Sequence, residues 1–300
     1  MKIQAELILA SKNAATGDVL TTMVLTYPRC ILSEFNTHRA ISKNTSSTRA
    51  IPAKKMREIV WNEPFIPTYI GQHQKGMTPG PELRGWRRDA ADAVIRLGAF
   101  VALGQNYLLE KLGVAKGISG RYLEPYMWVR QVVTATDWKN LLLLRNHKDA
   151  EPHFRELARC IAQQLRYVEA YFKFDQIVDV WVGDDHKVQH LEPMGWHIPF
   201  LGPDDIRSLT LDEKLKVSAA RAARTSYTIT TSNVSEWESD FRLAKQLIAN
   251  GHLSPLEHQA QAVNDFRYHG NFKSFIQYRK TVAGEDGGDR KALQEVRNDS

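Results

Sequence analysis

Three short segments of this sequence combine imidazole, hydroxyl, amide and guanidinium groups at spacings that could serve chemistry. The first segment, residues 38–49, reads HRAISKNTSSTR and is dense in hydrogen-bond donors but poor in apolar anchors. Such a loop suits phosphate oxygens, because an arginine offers a two-pronged fork and hydroxyl and backbone N–H groups add neutral donors. Composition alone favours a solvated linker equally.

The second segment, residues 138–145, reads WKNLLLLR and has the composition of a helix with one polar edge. On a helix, Asn140 and Leu144 share a face, and Arg145 lies one residue further round. An asparagine and an arginine beside a leucine run could face a ligand together. The pattern by itself favours a simpler interpretation, an amphipathic core helix with a surface arginine.

The third segment has two pieces, AARTSY at residues 222–227 and GHLSPLEH at residues 251–258. Two histidines and a glutamate in the second piece suggest zinc. The spacing is not H-E-x-x-H and no third ligand is evident, so we predict no metal site. The other interpretation of Glu257 and His258 is a charge and a cap at a helix N-terminus.

Hydrophobic periodicity and turn residues predict the elements that must position these segments. A capping box of Ser235 and Glu238 opens the last helix, and Asn250-Gly251 ends it. Residues 62–82 are predicted to form a long loop. Residues 174–210 are predicted to form strand and loop. The remaining predicted strands are 3–10, 19–27 and 128–134, and the remaining predicted helices are 29–38, 83–113 with a break near Gly98 or Gly104, 137–146, 150–172 and 211–224.

The composition is that of an ordinary globular protein, with 43% hydrophobic and 25% charged residues in a chain of 300. Cys30 and Cys160 lie outside any C-x-x-C motif, which argues against a disulfide scaffold and fits a reducing cytoplasm. We expect no signal peptide, and no apolar run approaches the roughly 18 residues that span a bilayer. The net charge of +6 favours phosphate-bearing ligands, but no long basic run points to polymeric nucleic acid.

Taken together, the three segments resemble the flavin-dependent thymidylate synthases, the ThyX family. The matches fall in islands whose internal spacing is kept. In the His-Arg loop they are His38-Arg39, Ser42, Asn44, Ser47 and Arg49. In the Leu-Arg helix block they are Asn140, Leu144-Arg145 and Asp149-Ala150, preceded by Arg121 to Pro125. In the last block they are Ala222-Ala223-Arg224-Thr225-Ser226 and His252-Leu253-Ser254-Pro255-Leu256-Glu257-His258.

The order of these blocks differs from that of the family, in which the Ala-Ala-Arg and Pro-x-Glu-His blocks come before the His-Arg loop. A circular permutation leaves this pattern, and it is tolerated where the old termini lie close together on the surface. The resemblance thus implies one ThyX-like α+β domain over 1–300, with a helical core, an antiparallel sheet and permuted order. Its parts are the His-Arg loop block (1–60), the Leu-Arg helix block (118–172), a connecting insertion (174–210) and the Ala-Ala-Arg/Pro-x-Glu-His block (211–280).

The resemblance also implies an activity. FAD would be the cofactor, NADPH and methylenetetrahydrofolate the co-substrates, and dUMP the substrate converted to dTMP, in a cytoplasmic homotetramer. Arg145 and Ser47 would be the catalytic residues. Carried over by position, the flavin side of the site is His38, Arg39, Asn140, Ser226, His252, Ser254 and Glu257, and the nucleotide side is Ser47, Thr48, Arg49, Arg121 and Arg145.

Several positions on the nucleotide side depart from the family. Thr37, Thr45 and Ala50 replace Arg, Glu and Tyr, while Glu34 and Glu151 replace Gln. A glutamate offers only acceptors where an amide also donates, which would favour the exocyclic amine of cytosine over a carbonyl. A flavin-dependent hydroxymethylase or methylase of dUMP or dCMP is therefore an alternative. A basic nucleic-acid-binding module without flavin is another.

The segment 271–280, NFKSFIQYRK, resembles the family's Gln-x-x-Arg helix, which precedes the His-Arg loop. Gln277 and Arg279 would then replace the missing glutamine and arginine on the nucleotide side. An ordinary amphipathic helix with basic ends explains the same pattern equally well.

Overall fold

A five-stranded sheet organises the fold in the computed structural model, which describes residues 1–45, 48–49, 51–76, 78–174, 187–227 and 236–282. Neighbouring strands are antiparallel, except that the last two run parallel. In spatial order the strands are β3 (Ser42–Thr45), β4 (Trp128–Ala135), β2 (Val19–Pro28), β1 (Gln4–Asn13) and β5 (Val188–Leu191).

Two smaller sheets and a set of helices surround this sheet, so the predicted mixed α+β class with antiparallel sheets is confirmed. The smaller sheets are β10 (Phe275–Gln277), β7 (Ala260–Ala262) and β6 (Trp196–His197), and the pair β8 (Tyr268–His269) and β9 (Phe272–Lys273). The helices are α1 (Leu32–Asn36), α2 (Ala53–Asn62), α3 (Trp86–Lys111), α4 (Lys116–Ser119), α5 (Lys139–Arg145), α6 (Pro152–Phe174), α7 (Pro203–Ser208), α8 (Leu211–Tyr227) and α9 (Trp237–Ala249), and 3-10 turns lie at Arg29–Ile31, Gly120–Tyr126, Ser254–Glu257 and Tyr278–Thr281.

Helix α6 covers one face of the five-stranded sheet. The fully buried Phe35 of α1 stacks on Tyr27 of β2 and on Phe154 of α6, with ring centroids 5.6 and 5.7 Å away. Burying an aromatic side chain of this size contributes about 1.5–3 kcal/mol. The stack therefore joins α1, the sheet and α6 into one core and fixes the segment that leads into the His-Arg loop.

Helix α8 covers the opposite face and is tied to its neighbours by ion pairs. Asp240 of α9 is fully buried and accepts hydrogen bonds from Arg221 and Arg224 of α8, at 3.2 and 3.0 Å. Asp205 of α7 accepts from Arg221 and from the Trp237 indole. A buried carboxylate is tolerated only when it is paired. These contacts thus hold the Ala-Ala-Arg end of α8 in place.

A β-bulge in β1 decides which side chains reach this second face. Leu7 lies opposite Met23, but Leu9 lies opposite Thr22, so Ile8 is the extra residue. A bulge re-aims the side chains that follow it. Ser11 and Asn13 consequently point away from α6, and the Asn13 amide donates to backbone carbonyls of residues 263 and 274 in the smaller sheets.

A chain of buried hydrogen bonds crosses the same face. The Ser11 hydroxyl bonds His197 Nδ1 at 2.7 Å, and His197 Nε2 bonds the Thr22 hydroxyl at 2.8 Å. Thr22 then bonds Thr134 at 2.7 Å, and Thr134 bonds His258 Nδ1 at 2.8 Å. Both histidines are fully buried. The chain thereby fastens β6 and the end of the 254–257 turn to the central strands.

The long helix differs from its prediction in being continuous. Neither Gly98 nor Gly104 breaks α3. Gly98 is required for another reason, because a Cβ there would overlap the hydroxyl of Tyr126 on the neighbouring 3-10 turn. The glycine thus marks close packing rather than a break.

The helix predicted for 271–280 is wrong. This segment forms β9, β10 and a 3-10 turn. Gly270 and Ser274 have φ angles of 70° and 62°, a region that ends regular helix and makes sharp turns. Phe272 and Phe275 are fully buried against the larger sheet. Burial of these two rings on short strands therefore outweighs the amphipathic helical pattern.

Helix α9 begins at Trp237, directly after Glu236. Ser235, the first residue of the predicted capping box, lies outside the described residues.

Across the described residues, no helix combines the length and hydrophobicity needed to cross a bilayer.

We predict acid-sensitive stability from the buried histidines. Burial lowers the pKa of His197 and of His258 from the ordinary 6.5 to about 3, with His258 also lowering that of His197. Below pH 6.5 the unfolded chain therefore binds two protons that the folded chain does not. The free energy of unfolding should fall by up to about 2.7 kcal/mol per pH unit between about 6.5 and 3.

Urea unfolding at pH 7.5, 6.5 and 5.5 tests this slope. His197→Gln should flatten it, whereas the exposed His73→Gln should leave it unchanged. A free energy of unfolding that does not change between pH 6.5 and 5.5 would contradict the prediction.

Candidate functional site

The candidate site is built around β3, the edge strand of the five-stranded sheet. Successive side chains of a strand point to opposite faces. Ser42 and Asn44 are buried on the face that carries α8, while Lys43 lies over the Phe35 ring on the other face, with its ammonium 6.0 Å from the ring centroid. The strand thus presents polar groups to both sides of one sheet edge.

On the α8 face, Asn44 holds the predicted flavin-side residue Ser254. The Asn44 amide donates to the Ala222 carbonyl of the Ala-Ala-Arg block at 3.2 Å, and its oxygen accepts from the Ser254 hydroxyl at 3.1 Å. The predicted residue Gln277 donates to the Ser42 hydroxyl at 2.7 Å. Three segments more than 170 residues away in sequence therefore converge on this strand.

Glu257 and Arg279, both predicted site residues, form an ion pair at 2.5 Å beside the same strand. Burial lowers the pKa of Lys43, the Glu257 carboxylate partly opposes that shift, and the Arg39 charge adds to it. Lys43 is therefore coupled electrostatically to Arg39 and to Glu257, and Glu257 is also paired with Arg279.

On the other face, Arg145 is the centre of a second group of predicted residues. Its guanidinium contacts Glu34 Oε2 at 2.9 Å, donates to His38 Nε2 at 3.1 Å and lies over the Phe154 ring at 4.7 Å. The Arg145 side chain is 21% exposed and that of Glu34 is 41% exposed. A buried ring and a carboxylate therefore hold Arg145 with part of its surface open to solvent.

His38 is held as a neutral imidazole. An arginine N–H can only donate, so His38 Nε2 must accept and the ring proton must lie on Nδ1. Burial lowers the pKa of His38, the charges of Arg145 and Lys43 lower it further, and a side-chain hydrogen bond with Asn140 opposes them. Asn140 and Arg145, five residues apart on α5, thus flank one imidazole.

Lys43 joins the two groups. Its ammonium donates to the His38 carbonyl at 2.5 Å and more weakly to the Asn36 carbonyl at 3.5 Å. The turn that carries His38 and the exposed Arg39 is therefore fixed by the strand that also bears Asn44.

Three residues predicted for the nucleotide side lie apart from Arg145. The Thr48 hydroxyl donates to Glu124 at 2.9 Å, and Arg121 donates to the Gly117 carbonyl at 3.1 Å. A Cβ at Gly117 would lie 3.2 Å from the Arg49 side chain. Thr48, Arg49 and Arg121 thus gather around Gly117 and Glu124, whereas the contacts of Arg145 are with α1, His38 and α6.

Three predicted residues are not placed in either group by the part of the chain that the structure describes. His252 is exposed at the end of α9. Ser47, and the departure at Ala50, lie outside the described residues, and so does the side chain of Ser226. Their assigned roles stay predictions.

Sequence reasoning missed Lys43 and Phe154 as site residues. Lys43 lies in the donor-rich loop, but only its position on an edge strand shows that it links the two groups. Phe154 lies nine residues beyond Arg145 in a separate helix, and no pattern in the sequence signals that its ring supports the guanidinium. Ser42 and Asn44 had matched the family motif without being assigned a role.

A separate cleft lies beside the start of α6. Its volume is about 330 Å³, and of the positions placed on the nucleotide side from the sequence it contains Glu151 alone. Polar groups of His73, Gln72 and Glu151 line it. Within the described residues, no three His, Cys, Asp or Glu side chains come together in a way that could hold a metal ion.

Comparison with known proteins gives a structural likeness at low identity. No protein-family model matches the sequence, and no curated protein matches it. The chain is similar to a UMP/dUMP methylase PolB from Streptomyces cacaoi bound with 5-Br UMP, at 13% identity and a TM-score of 0.45, over 58% of this chain and 95% of that one. The complex with 5-Br dUMP gives 14% identity and a TM-score of 0.45, over 58% and 96%.

The contact between Arg145 and His38 predicts a measurable pKa change. Arg145→Ala removes the nearby positive charge, so the pKa of His38 should rise toward the ordinary value of 6.5. NMR titration of the His38 imidazole resonances measures this. Arg121→Ala removes an equal charge elsewhere and should leave the His38 titration in place. An unchanged His38 pKa in Arg145→Ala would show that the two groups do not interact.

Proposed function

We propose that this protein is an FAD-dependent enzyme that transfers a one-carbon unit from methylenetetrahydrofolate to C5 of dUMP, giving dTMP with NADPH as reductant. One observation carries the proposal. Residues from three distant blocks of the sequence, assigned to a single site by the family resemblance, lie in two groups at the β3 edge of the sheet, one group on each face. They are Glu34, His38, Asn140 and Arg145 on the α6 face, and Ser254, Glu257, Gln277 and Arg279 on the α8 face.

The residues present suit a flavin. FAD carries a diphosphate and a ring system rich in acceptors, and the site offers the cations Arg39 and Lys43 with amide and hydroxyl groups from Asn140 and Ser254. His38 and Glu257, together with Ser226 and His252 by sequence position, complete the proposed flavin side. When bound, the flavin supplies the redox chemistry, and the protein supplies position and field.

Arg145 has the properties that the nucleotide side requires. It stays charged at any physiological pH. Phe154 and Glu34 hold its guanidinium while about a fifth of the side chain stays exposed, at 21%. A guanidinium fixed before the substrate arrives stabilises negative charge that develops on the pyrimidine as C5 becomes nucleophilic. We therefore assign Arg145 to the pyrimidine edge.

The residues that gather around Gly117 suit the phosphate of the nucleotide. Arg49 and Arg121 lie close to Gly117, and Thr48 adds a hydroxyl nearby. Two guanidinium forks and a hydroxyl are good ligands for a phosphate dianion. Ser47 is assigned to the same phosphate from the sequence. Gln277 and Arg279 would contribute at the boundary between the flavin and nucleotide sides.

The nucleophile is carbon, so a reactive thiol is not required. Cys30 lies at the surface, but partial desolvation and the neighbouring carboxylates of Glu151 and Glu34 raise the pKa of its thiol to about 11. Its thiol is therefore protonated at neutral pH and is a poor nucleophile. This agrees with chemistry in which the flavin and the folate, rather than a cysteine, drive the transfer.

A second candidate function uses the same site on another base. Glu34 presents a carboxylate beside Arg145, and a carboxylate accepts a hydrogen bond from the exocyclic amine of cytosine better than it tolerates a carbonyl. This observation favours dCMP as substrate. If water rather than hydride were to add to the transferred methylene group, the product would carry a hydroxymethyl group and no NADPH would be consumed.

The absorption spectrum and the product mass test the proposal. The purified protein should be yellow, with a flavin spectrum, which would exclude a nucleic-acid-binding module without flavin. Incubation with methylenetetrahydrofolate and dUMP or dCMP, with and without NADPH, should give one nucleotide of increased mass. A methyl gain on dUMP that requires NADPH supports the leading proposal. The absence of any mass change in every combination would exclude both enzymatic functions.

Arg145→Ala should separate catalysis from cofactor binding. Loss of a fixed donor to developing charge lowers kcat by about 10²–10³-fold, while the flavin content per chain should stay close to that of the unchanged protein. Turnover and bound flavin are measured on the same preparation. Arg159→Ala, an exposed arginine of α6, is the matched control and should retain full turnover. Equal loss of flavin and turnover in Arg145→Ala would overturn the assigned role.

A further inference from the structure

A carboxylate lies among the arginines proposed to hold the nucleotide phosphate. Glu124, in the 3-10 turn Gly120–Tyr126, accepts a hydrogen bond from the Thr48 hydroxyl at 2.9 Å on Oε1, and Arg29 Nε lies 3.4 Å from the same oxygen. Side chains three residues apart on a 3-10 helix eclipse each other, so Glu124 also shares a side of the turn with Arg121. A negative charge thus stands where a phosphate ligand needs only donors and cations.

Arg29 adds a third guanidinium to this group. Its backbone N–H donates to the Met127 carbonyl at 2.8 Å, directly after the 3-10 turn, and its side chain is only 12% exposed. It also follows β2 directly, at the end of a central strand. The position of this guanidinium is therefore set by the sheet and by the turn that carries Glu124.

The carboxylate of Glu124 is compensated on one oxygen. Both of its contacts are with Oε1, and no residue in the described part of the chain donates to Oε2. The side chain is 30% exposed, so the second oxygen can act on a bound ligand. A carboxylate can only accept, and it repels another anion placed beside it.

The charges of the group match one phosphate and no more. The guanidinium groups of Arg29, Arg49 and Arg121 less the carboxylate of Glu124 leave a formal charge of +2. A phosphate monoester carries about −1.5 to −2 at neutral pH. A second phosphoryl group brings negative charge that these cations do not neutralise, close to a carboxylate with an open oxygen. Repulsive elements of this kind are a common way to reject a wrong ligand.

We propose that Glu124 is a specificity-determining residue, which restricts the site to ligands with a single terminal phosphate and rejects diphosphates and triphosphates. This role rests on the proposed function, in which these arginines hold the nucleotide phosphate. It separates dUMP or dCMP from the more highly phosphorylated forms of the same nucleoside.

Binding of inorganic phosphate and of pyrophosphate to the full-length chain, measured by titration calorimetry, tests this role. The unchanged protein should bind pyrophosphate no more tightly than phosphate. Glu124→Gln keeps an acceptor oxygen for Thr48 but removes the charge, so it should lower the Kd for pyrophosphate roughly tenfold more than the Kd for phosphate. Glu110→Gln, which removes the carboxylate paired with Arg57 on α3, is the matched control and should leave the ratio unchanged.

Two further variants separate the charge of Glu124 from its structural contacts. Glu124→Asp keeps the charge and should keep the discrimination against pyrophosphate, whereas Glu124→Ala should lose it as Glu124→Gln does. The same ratio of the two dissociation constants in the unchanged protein and in Glu124→Gln and Glu124→Ala would overturn the role, and so would binding of neither anion by the unchanged protein.

The two anions bind without flavin or folate, so this result is independent of turnover. An unaltered ratio in a protein that converts dUMP or dCMP would reject the role of Glu124 alone. An altered ratio in a protein that converts neither nucleotide would reject the proposed reaction and leave the role of Glu124 standing.

Discussion

The pairing of the four-residue strand β3 with β4 is the contact on which the candidate site depends. Because the side chains of a strand alternate, this one edge sends Ser42 and Asn44 to the α8 face and Lys43 to the α6 face. Asn44 accepts a hydrogen bond from Ser254 of the 254–257 turn, and Lys43 donates one to the carbonyl of His38. Loss of this register would separate two groups of residues that have no other common support among the contacts described for them.

The sequence predicted the central strands and the long helices well, since their burial is periodic and local. The β-branched run of β2 and the apolar faces of α6 and α8 are strong patterns of this kind. It failed at residues 271–280, where an amphipathic helical pattern becomes short strands. That outcome depends on the burial of Phe272 and Phe275 against a distant sheet, which local spacing does not encode.

The site was predictable in part. Residue types at matched spacing identified His38, Asn140, Arg145, Ser254 and Glu257, and the structure brings these around β3. The supporting residues were not predictable, because the role of Phe154 beneath Arg145 and of Lys43 beneath the His38 turn comes from tertiary packing. The grouping of Thr48, Arg49 and Arg121 around Gly117 and Glu124, apart from Arg145, was equally invisible in the sequence.

The bulge at Ile8 has a consequence for how this fold can vary between related chains. Beyond that point, the face to which each β1 side chain points is set by the number of residues before it rather than by their types. Ser11 and Asn13 reach the second face only because one extra residue precedes them. The first strand should therefore tolerate many apolar exchanges at Ile8 but no change of length. The number of residues before Ser11 is more constrained in evolution than the identity of the residue at the bulge.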